Sequence, residues 1–128
     1  HDVAVPVALM PRFIEEAAPV VEALVPGSRV LAFGHLGDGN IHFNLRQPPD
    51  MDRQAFLAEW ERVSAPVHDI VLSFGGAISA EHGIGSLKRD ELARTADPAR
   101  LAAMRGIKAA LDPRGVMNPG KVLTNATI

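Results

Sequence analysis

RVLAFGHLGDGNIHFNLR, residues 29–46, reads as two strands folded back on each other about a glycine-rich turn. Apolar and polar residues alternate on both sides of the turn, the period of a strand with one buried face. Asp38-Gly39 suits the centre of a two-residue type I′ hairpin, whose central positions both need positive φ. That centring pairs Gly37 with Asn40, Leu36 with Ile41, His35 with His42, Phe33 with Asn44 and Leu31 with Arg46. A four-residue loop on the same centre keeps this register, whereas an odd-length loop breaks it. Directly opposed residues share a face, with Cβ atoms about 4.5–5.5 Å apart. One face therefore carries His35, His42, Asn44 and Arg46, and the other Val30, Ala32, Leu36, Ile41, Phe43 and Leu45. The apolar face goes beneath helices. The polar face is left for something else.

Outward from this ribbon the periods alternate. Val3, Val5 and Val7 predict a short first strand. Pro11 suits the first turn of a helix in which Phe13, Ile14, Ala17, Val20, Val21 and Leu24 recur at three- and four-residue steps, with a bend expected at Pro19. After the ribbon, a helix is expected from about Arg53 to Phe74, its stripe formed by Phe56, Trp60, Val63, Val67, Ile70 and Phe74 and bent at Pro66. GGAISAEHGIG (75–85) reads as a short extended piece between glycine hinges, and LKRDEL (87–92) as a solvated short helix. A last helix starts with Asp97 as N-cap and Pro98 at its first position, its core side carrying Leu101, Met104, Ile107 and Leu111. DPRG ends it, and a tail follows.

Strand, helix, strand, strand, helix, strand is the α+β split βαβ, ferredoxin-like pattern: an antiparallel sheet with helices on one face, here with an appended C-terminal helix and tail. Pro6 conflicts with a central first strand, so either that strand ends before Pro6 or the strand order differs. A second tension concerns Glu81. In an ideal sheet of this kind the end of the fourth strand points away from His42, so Glu81 reaches it only if GAISAEHG is a loop curling over the sheet.

Composition narrows the classes of function. The 128 residues suit one domain, 47% are hydrophobic, and the net charge of −2 offers no basic surface for nucleic acid. A nucleic-acid platform of aromatic and basic residues is missing as well. With no cysteine, thiolate metal sites, disulfides and a cysteine nucleophile are excluded, and the weak compartment hint is cytoplasmic. No apolar run approaches the roughly 20 residues of a membrane span. The chain opens abruptly in strand-like sequence, as a piece cut from a longer protein would.

Two histidines on one ribbon face, with an Asn and an Arg beside them, leave two readings, a metal or substrate site and a merely wetted surface, and solvent alone gives no reason for the grouping. Zinc accepts imidazole nitrogen and carboxylate oxygen, so a third ligand should be acidic. Asp38 is nearest, but a turn residue more often bonds its own backbone. Glu81, between glycine hinges and followed directly by His82, is the better choice. GVMNPGKV (115–122) nearly spells a phosphate-binding loop, but Val122 stands where a magnesium-holding hydroxyl is needed. Ser79 and Ser86 have no base–orienter partnership. His68 reads as structural.

GHLGDGNIHFN (34–44), GGAISAEHGIGSLKRDEL (75–92) and LDPRGVMNPGKVL (111–123) resemble the C-terminal domain of FAD-linked oxidases of the vanillyl-alcohol-oxidase superfamily, and within it the D-2-hydroxyacid (D-lactate and D-2-hydroxyglutarate) dehydrogenase group. The resemblance implies that residues 1–128 form a substrate- and metal-binding cap domain whose FAD-binding partner domain lies outside the chain. It implies a divalent metal, zinc by donor type, on His35, His42 and Glu81. Asn44 and His82 would bind a small 2-hydroxyacid, and His82 would take the hydroxyl proton while hydride passes to flavin. Asn118 in the tail would contact the cofactor. A homodimeric full-length protein and an unspecified electron acceptor complete that expectation. The competing reading is a free-standing metal-binding module without redox activity.

Overall fold

The computed structural model describes residues 1–124. The chain divides into two compact units, the first spanning His1–His82 and the second beginning at Gly83.

The first unit is built on a three-stranded antiparallel sheet. Strands β1 (Asp2–Ala4), β2 (Arg29–His35) and β3 (Asn40–Arg46) lie in the order β1-β3-β2. Ala77 adds a single antiparallel bridge to Ala4, on the far side of β1. This is the split βαβ arrangement, with the fourth strand reduced to one bridge. The short β1 resolves the problem of Pro6. The strand ends at Ala4, the Val5 N–H still donates to the Gly39 carbonyl at 3.0 Å, and Pro6 falls where no ladder donor is required. Val7, expected in that strand, instead opens a 3₁₀ turn, Val7–Leu9.

Helix α1 (Met10–Leu24) carries Pro11 in its first turn and runs on through Pro19. The expected helix over 53–74 is two helices, α2 (Arg53–Ala58) and α3 (Trp60–Ser73), and α3 continues through Pro66. The break falls at Glu59, whose N–H bonds the Phe56 carbonyl at 3.2 Å in a tightened 3₁₀ step. The Glu59 carboxylate accepts from Arg62, whose other nitrogen caps the Leu24 carbonyl of α1. Phe13, Ala17 and Val21 of α1 and Val63, Val67 and Val71 of α3 pack with Val3, Val5, Ile41 and Phe43 of the sheet region in one buried cluster. Phe13 and Phe43 meet with ring centroids 5.4 Å apart. One sheet face is therefore committed to the core, and the other is open.

In the second unit, α4 (Arg89–Thr95) is the expected short helix, and α5 (Pro98–Leu111) begins at Asp97, whose carboxylate accepts the Ala99 and Arg100 N–H groups. Leu92 and Leu101 are buried. Ile107 and Leu111, expected on the core side, are 61% and 73% exposed. Among the described residues of this unit the buried apolar side chains are too few to cover the whole stripe. No helix among the described residues is long and apolar enough to cross a membrane.

Candidate metal and substrate site

The ribbon β2–β3 has the expected faces but not the expected register. Phe33 pairs with His42, Leu31 with Asn44, Arg29 with Arg46 and His35 with Asn40, two residues from the pairing about Asp38-Gly39. The reason lies in the turn. Leu36–Asp38 form a 3₁₀ turn closed by Gly39, which alone among residues 36–39 takes positive φ (+75°). A type I′ turn would have placed Asp38 there too, a conformation that non-glycine residues adopt only at a cost. Leu36 consequently leaves the apolar face and lies in the loop, 66% exposed. Gly34 marks the same register: a Cβ there would sit 2.1 Å from the Asn40 carbonyl oxygen.

Because side chains alternate with period two, a shift of two residues preserves the faces. His35 and His42 still share the open face, now diagonal to each other rather than directly opposed, with ring centroids 5.9 Å apart and planes nearly perpendicular. Leu31 and Phe33 share it with them. Phe33 is 61% exposed and lies 5.2 Å from the His42 ring.

Glu81 reaches this face because residues 78–82 are a loop and not a strand. Beyond the Ala77 bridge the chain turns over the sheet, where the Glu81 carboxylate meets His35 Nδ1 at 2.8 Å and accepts from Asn40 Nδ2 at 3.2 Å. One ligand atom each from His35, His42 and Glu81 lie within 4.8 Å of one another. The His82 ring stacks near His42, with centroids 6.2 Å apart. The structure thus brings together His35, His42, Glu81 and His82. Asn44 stands farther along the same face, exposed, and borders a separate cavity of about 210 Å³ lined by Phe56, Trp60 and Val63. Asn118 lies in the second unit, where it takes φ +45° and its carbonyl accepts the Lys121 N–H at 3.2 Å.

Two residues at this site were not anticipated. Asn40 is one, and its place follows from the register. Asp2 is the other. It is only 6% exposed, pairs with His42 across β1–β3, and accepts from Ser79 Oγ and from the N–H groups of Ala80, Glu81 and His82 at 2.9–3.3 Å. An acid inside the apolar alternation DVAVPV was the available signal.

Comparison with known proteins decides the family. The sequence pattern described as "FAD linked oxidases, C-terminal domain" matches residues 1–122. The chain belongs to this family. Within the FAD-linked oxidase C-terminal domains, it is 40% identical over 122 residues to a D-2-hydroxyglutarate dehydrogenase of Stutzerimonas stutzeri, covering 95% of this chain and 26% of that protein. It is 38% identical over 99 residues to the mitochondrial D-2-hydroxyglutarate dehydrogenase of Arabidopsis thaliana, covering 77% of the chain and 17% of that protein. A D-lactate dehydrogenase of Anaerostipes hadrus is 40% identical over 94 residues, or 73% of the chain and 20% of that protein. The chain spans about a quarter of the length of the first of these relatives.

The donor set is suited to a small divalent cation. Tetrahedral zinc with bonds of about 2.0–2.1 Å holds its ligands about 3.3 Å apart. Two imidazoles and a carboxylate already place one ligand atom each within 4.8 Å of one another.

Proposed function

We propose that this chain is the substrate- and metal-binding domain of a flavin-dependent enzyme that oxidises a D-2-hydroxyacid to the 2-oxoacid. The observation that carries the reading is the convergence of His35, His42 and Glu81 on one point of an open sheet face, with His82 beside them. The names of the relatives supply the substrate class.

In this reading His35, His42 and Glu81 hold a divalent cation, zinc by donor type. Such a cation, when bound, lowers the pKa of a ligated hydroxyl and fixes the geometry of the oxygens it grips. His82 accepts the substrate hydroxyl proton, a task its imidazole suits near neutral pH. Asn44 donates a hydrogen bond to the substrate from the same face. The exposed Phe33 ring walls one side of His42. FAD, held mainly by a domain outside these residues, is the hydride acceptor, with Asn118 as this chain's own contact to it.

The test uses the full-length enzyme. The wild type should carry about one equivalent of zinc and oxidise D-2-hydroxyglutarate or D-lactate. His42→Ala should lose the metal and the activity together. His82→Gln should keep the metal while turnover falls by about 10²–10⁴-fold, the usual contribution of a general base. Residues 1–128 alone should take up zinc without oxidising either acid. Full metal content in His42→Ala would overturn the ligand assignment.

A further inference from the structure

The site consists of two pieces that the backbone alone does not hold together. His35 and His42 belong to the β2–β3 ribbon, whereas Glu81 and His82 belong to the loop that follows the Ala77 bridge. Beyond that bridge and the buried Ile78, residues 79–82 lie over the open face. Glu81 is itself 36% exposed at its side chain and His82 71%, so neither is wedged into place by packing.

The Glu81 carboxylate meets His35 and Asn40, and Asp2 holds the loop's backbone. Its Oδ2 accepts from the Ala80 N–H at 3.2 Å, the Glu81 N–H at 3.1 Å, the His82 N–H at 2.9 Å and Ser79 Oγ at 3.3 Å. Its Oδ1 lies 3.3 Å from the Glu81 N–H. Successive backbone N–H groups converging on one anion form a concavity, or nest, with a net positive field. Here the anion is a side chain of the protein's own first strand. A carboxylate so buried is tolerated because charge-assisted hydrogen bonds replace its water. The same residue sits opposite His42 in the β1–β3 register. Asp2 therefore links the strand bearing one imidazole to the loop bearing the carboxylate and the second imidazole.

We propose that Asp2 is the positioning residue of this site: its buried carboxylate, clasped by the Ala80, Glu81 and His82 N–H groups, sets Glu81 and His82 over the β2–β3 ribbon. Its described hydrogen-bond partners lie in the loop, at Ser79, Ala80, Glu81 and His82. It acts through the loop. The metal arm of the test below rests on the function proposed above, and the exchange arm does not.

Zinc titration of the metal-free full-length protein, with amide hydrogen exchange on the same samples, tests this. Asp2→Asn keeps the shape, removes the charge and turns an NH₂ toward N–H donors. It should weaken zinc binding by about 10–100-fold, the usual cost of losing a partner that orients a ligand. Exchange at Ala80, Glu81 and His82 should accelerate while Ile41 and Phe43 in β3 stay protected. Ser79→Ala removes one hydroxyl donor and leaves β1 untouched, so it should act in the same direction by a few-fold and decides the matter if Asp2→Asn does not fold. A carboxylate that merely stabilised the fold would alter protection across β1 and β3 together and leave the zinc affinity of the folded protein intact. That pattern, or wild-type affinity and exchange in both variants, overturns the proposal. If the wild type binds no zinc, the metal reading fails by itself, and the exchange rates at 80–82 alone decide the role of Asp2.

Discussion

Asp2 in the first unit and Asp112 in the second are both 6% exposed, and the carboxylate of each accepts backbone N–H groups from a loop. Asp112 takes those of Val116 and Met117, four and five residues onward, and receives Lys108 Nζ from one helical turn behind. Asp2 takes those of Ala80 and His82, 78 and 80 residues onward. The first arrangement closes a turn that needs only its own neighbours. The second joins β1, paired with β3, to a loop distant in sequence. A loop can thus be organised locally, but a site made of ribbon and loop depends on the core beneath it.

The largest effect should come from removing that core support. Phe43 is fully buried between His42 and Asn44 and packs against Phe13. Phe43→Ala should cost about 3–5 kcal/mol in chemical denaturation, the range for deleting a buried aromatic. Phe33→Ala, on the same ribbon but the open face, should change stability by less than about 0.5 kcal/mol. Equal costs for the two would mean that the faces are not divided as described, and the dependence of the Asp2 grip on the sheet would go with it.

A smaller effect is expected at the turn. Gly39 has φ +75°, and a Cβ there would sit 2.2 Å from the Val5 carbonyl oxygen. Gly39→Ala should cost about 1–3 kcal/mol, from a left-handed backbone plus an overpacked contact. Because the Gly39 carbonyl also receives the Val5 N–H, the damage should spread to β1 and so to Asp2. Gly37→Ala is the control, since a Cβ there meets nothing within 4 Å. Thermal melts of the two variants, with exchange at 80–82, would show whether loosening β1 frees the loop.

What could be read from residue order alone divides along the same line. The faces of 29–46 follow from period-two alternation, and any even slip leaves them intact, so His35 and His42 were placed together despite a register two residues off. The register itself hung on the turn, where one positive φ at Gly39 is cheaper than two at Asp38 and Gly39. Pro6 correctly warned that β1 is short. The break at Glu59 was invisible, because Phe56, Trp60 and Val63 hold the same helical spacing across it. Ile107 and Leu111 look like core residues because periodicity reports a stripe but not what covers it. Asp2 was missed for a different reason. The partners described for its carboxylate lie 77 to 80 residues onward, and an acid at a strand start reads as solvated until the chain has returned at Ser79.

The smallest effect, and the one that sharpens the contrast, concerns the charge at Asp112. The Lys108 ammonium hydrogen-bonded to it lowers its pKa below the ordinary carboxylate value; burial pushes the other way, and the Met117 and Val116 N–H groups add to the lowering. A folded pKa below the unfolded value of about 3.9 means that the contribution to stability is complete above that pH and is lost as pH falls through the folded pKa. Protection of the Val116 and Met117 amides should therefore survive acidification past pH of about 4 and fail only below it. In Lys108→Met the Asp112 carboxyl, followed by NMR, should titrate at higher pH, and the two amides should lose protection earlier in the acid titration. The clasp described for Asp2 is made by backbone N–H groups and Ser79, with the His82 imidazole at 3.8 Å. If Lys108→Met leaves the Asp112 titration where it was, backbone N–H groups do the holding in both places, and the two carboxylates differ only in how far along the chain they reach.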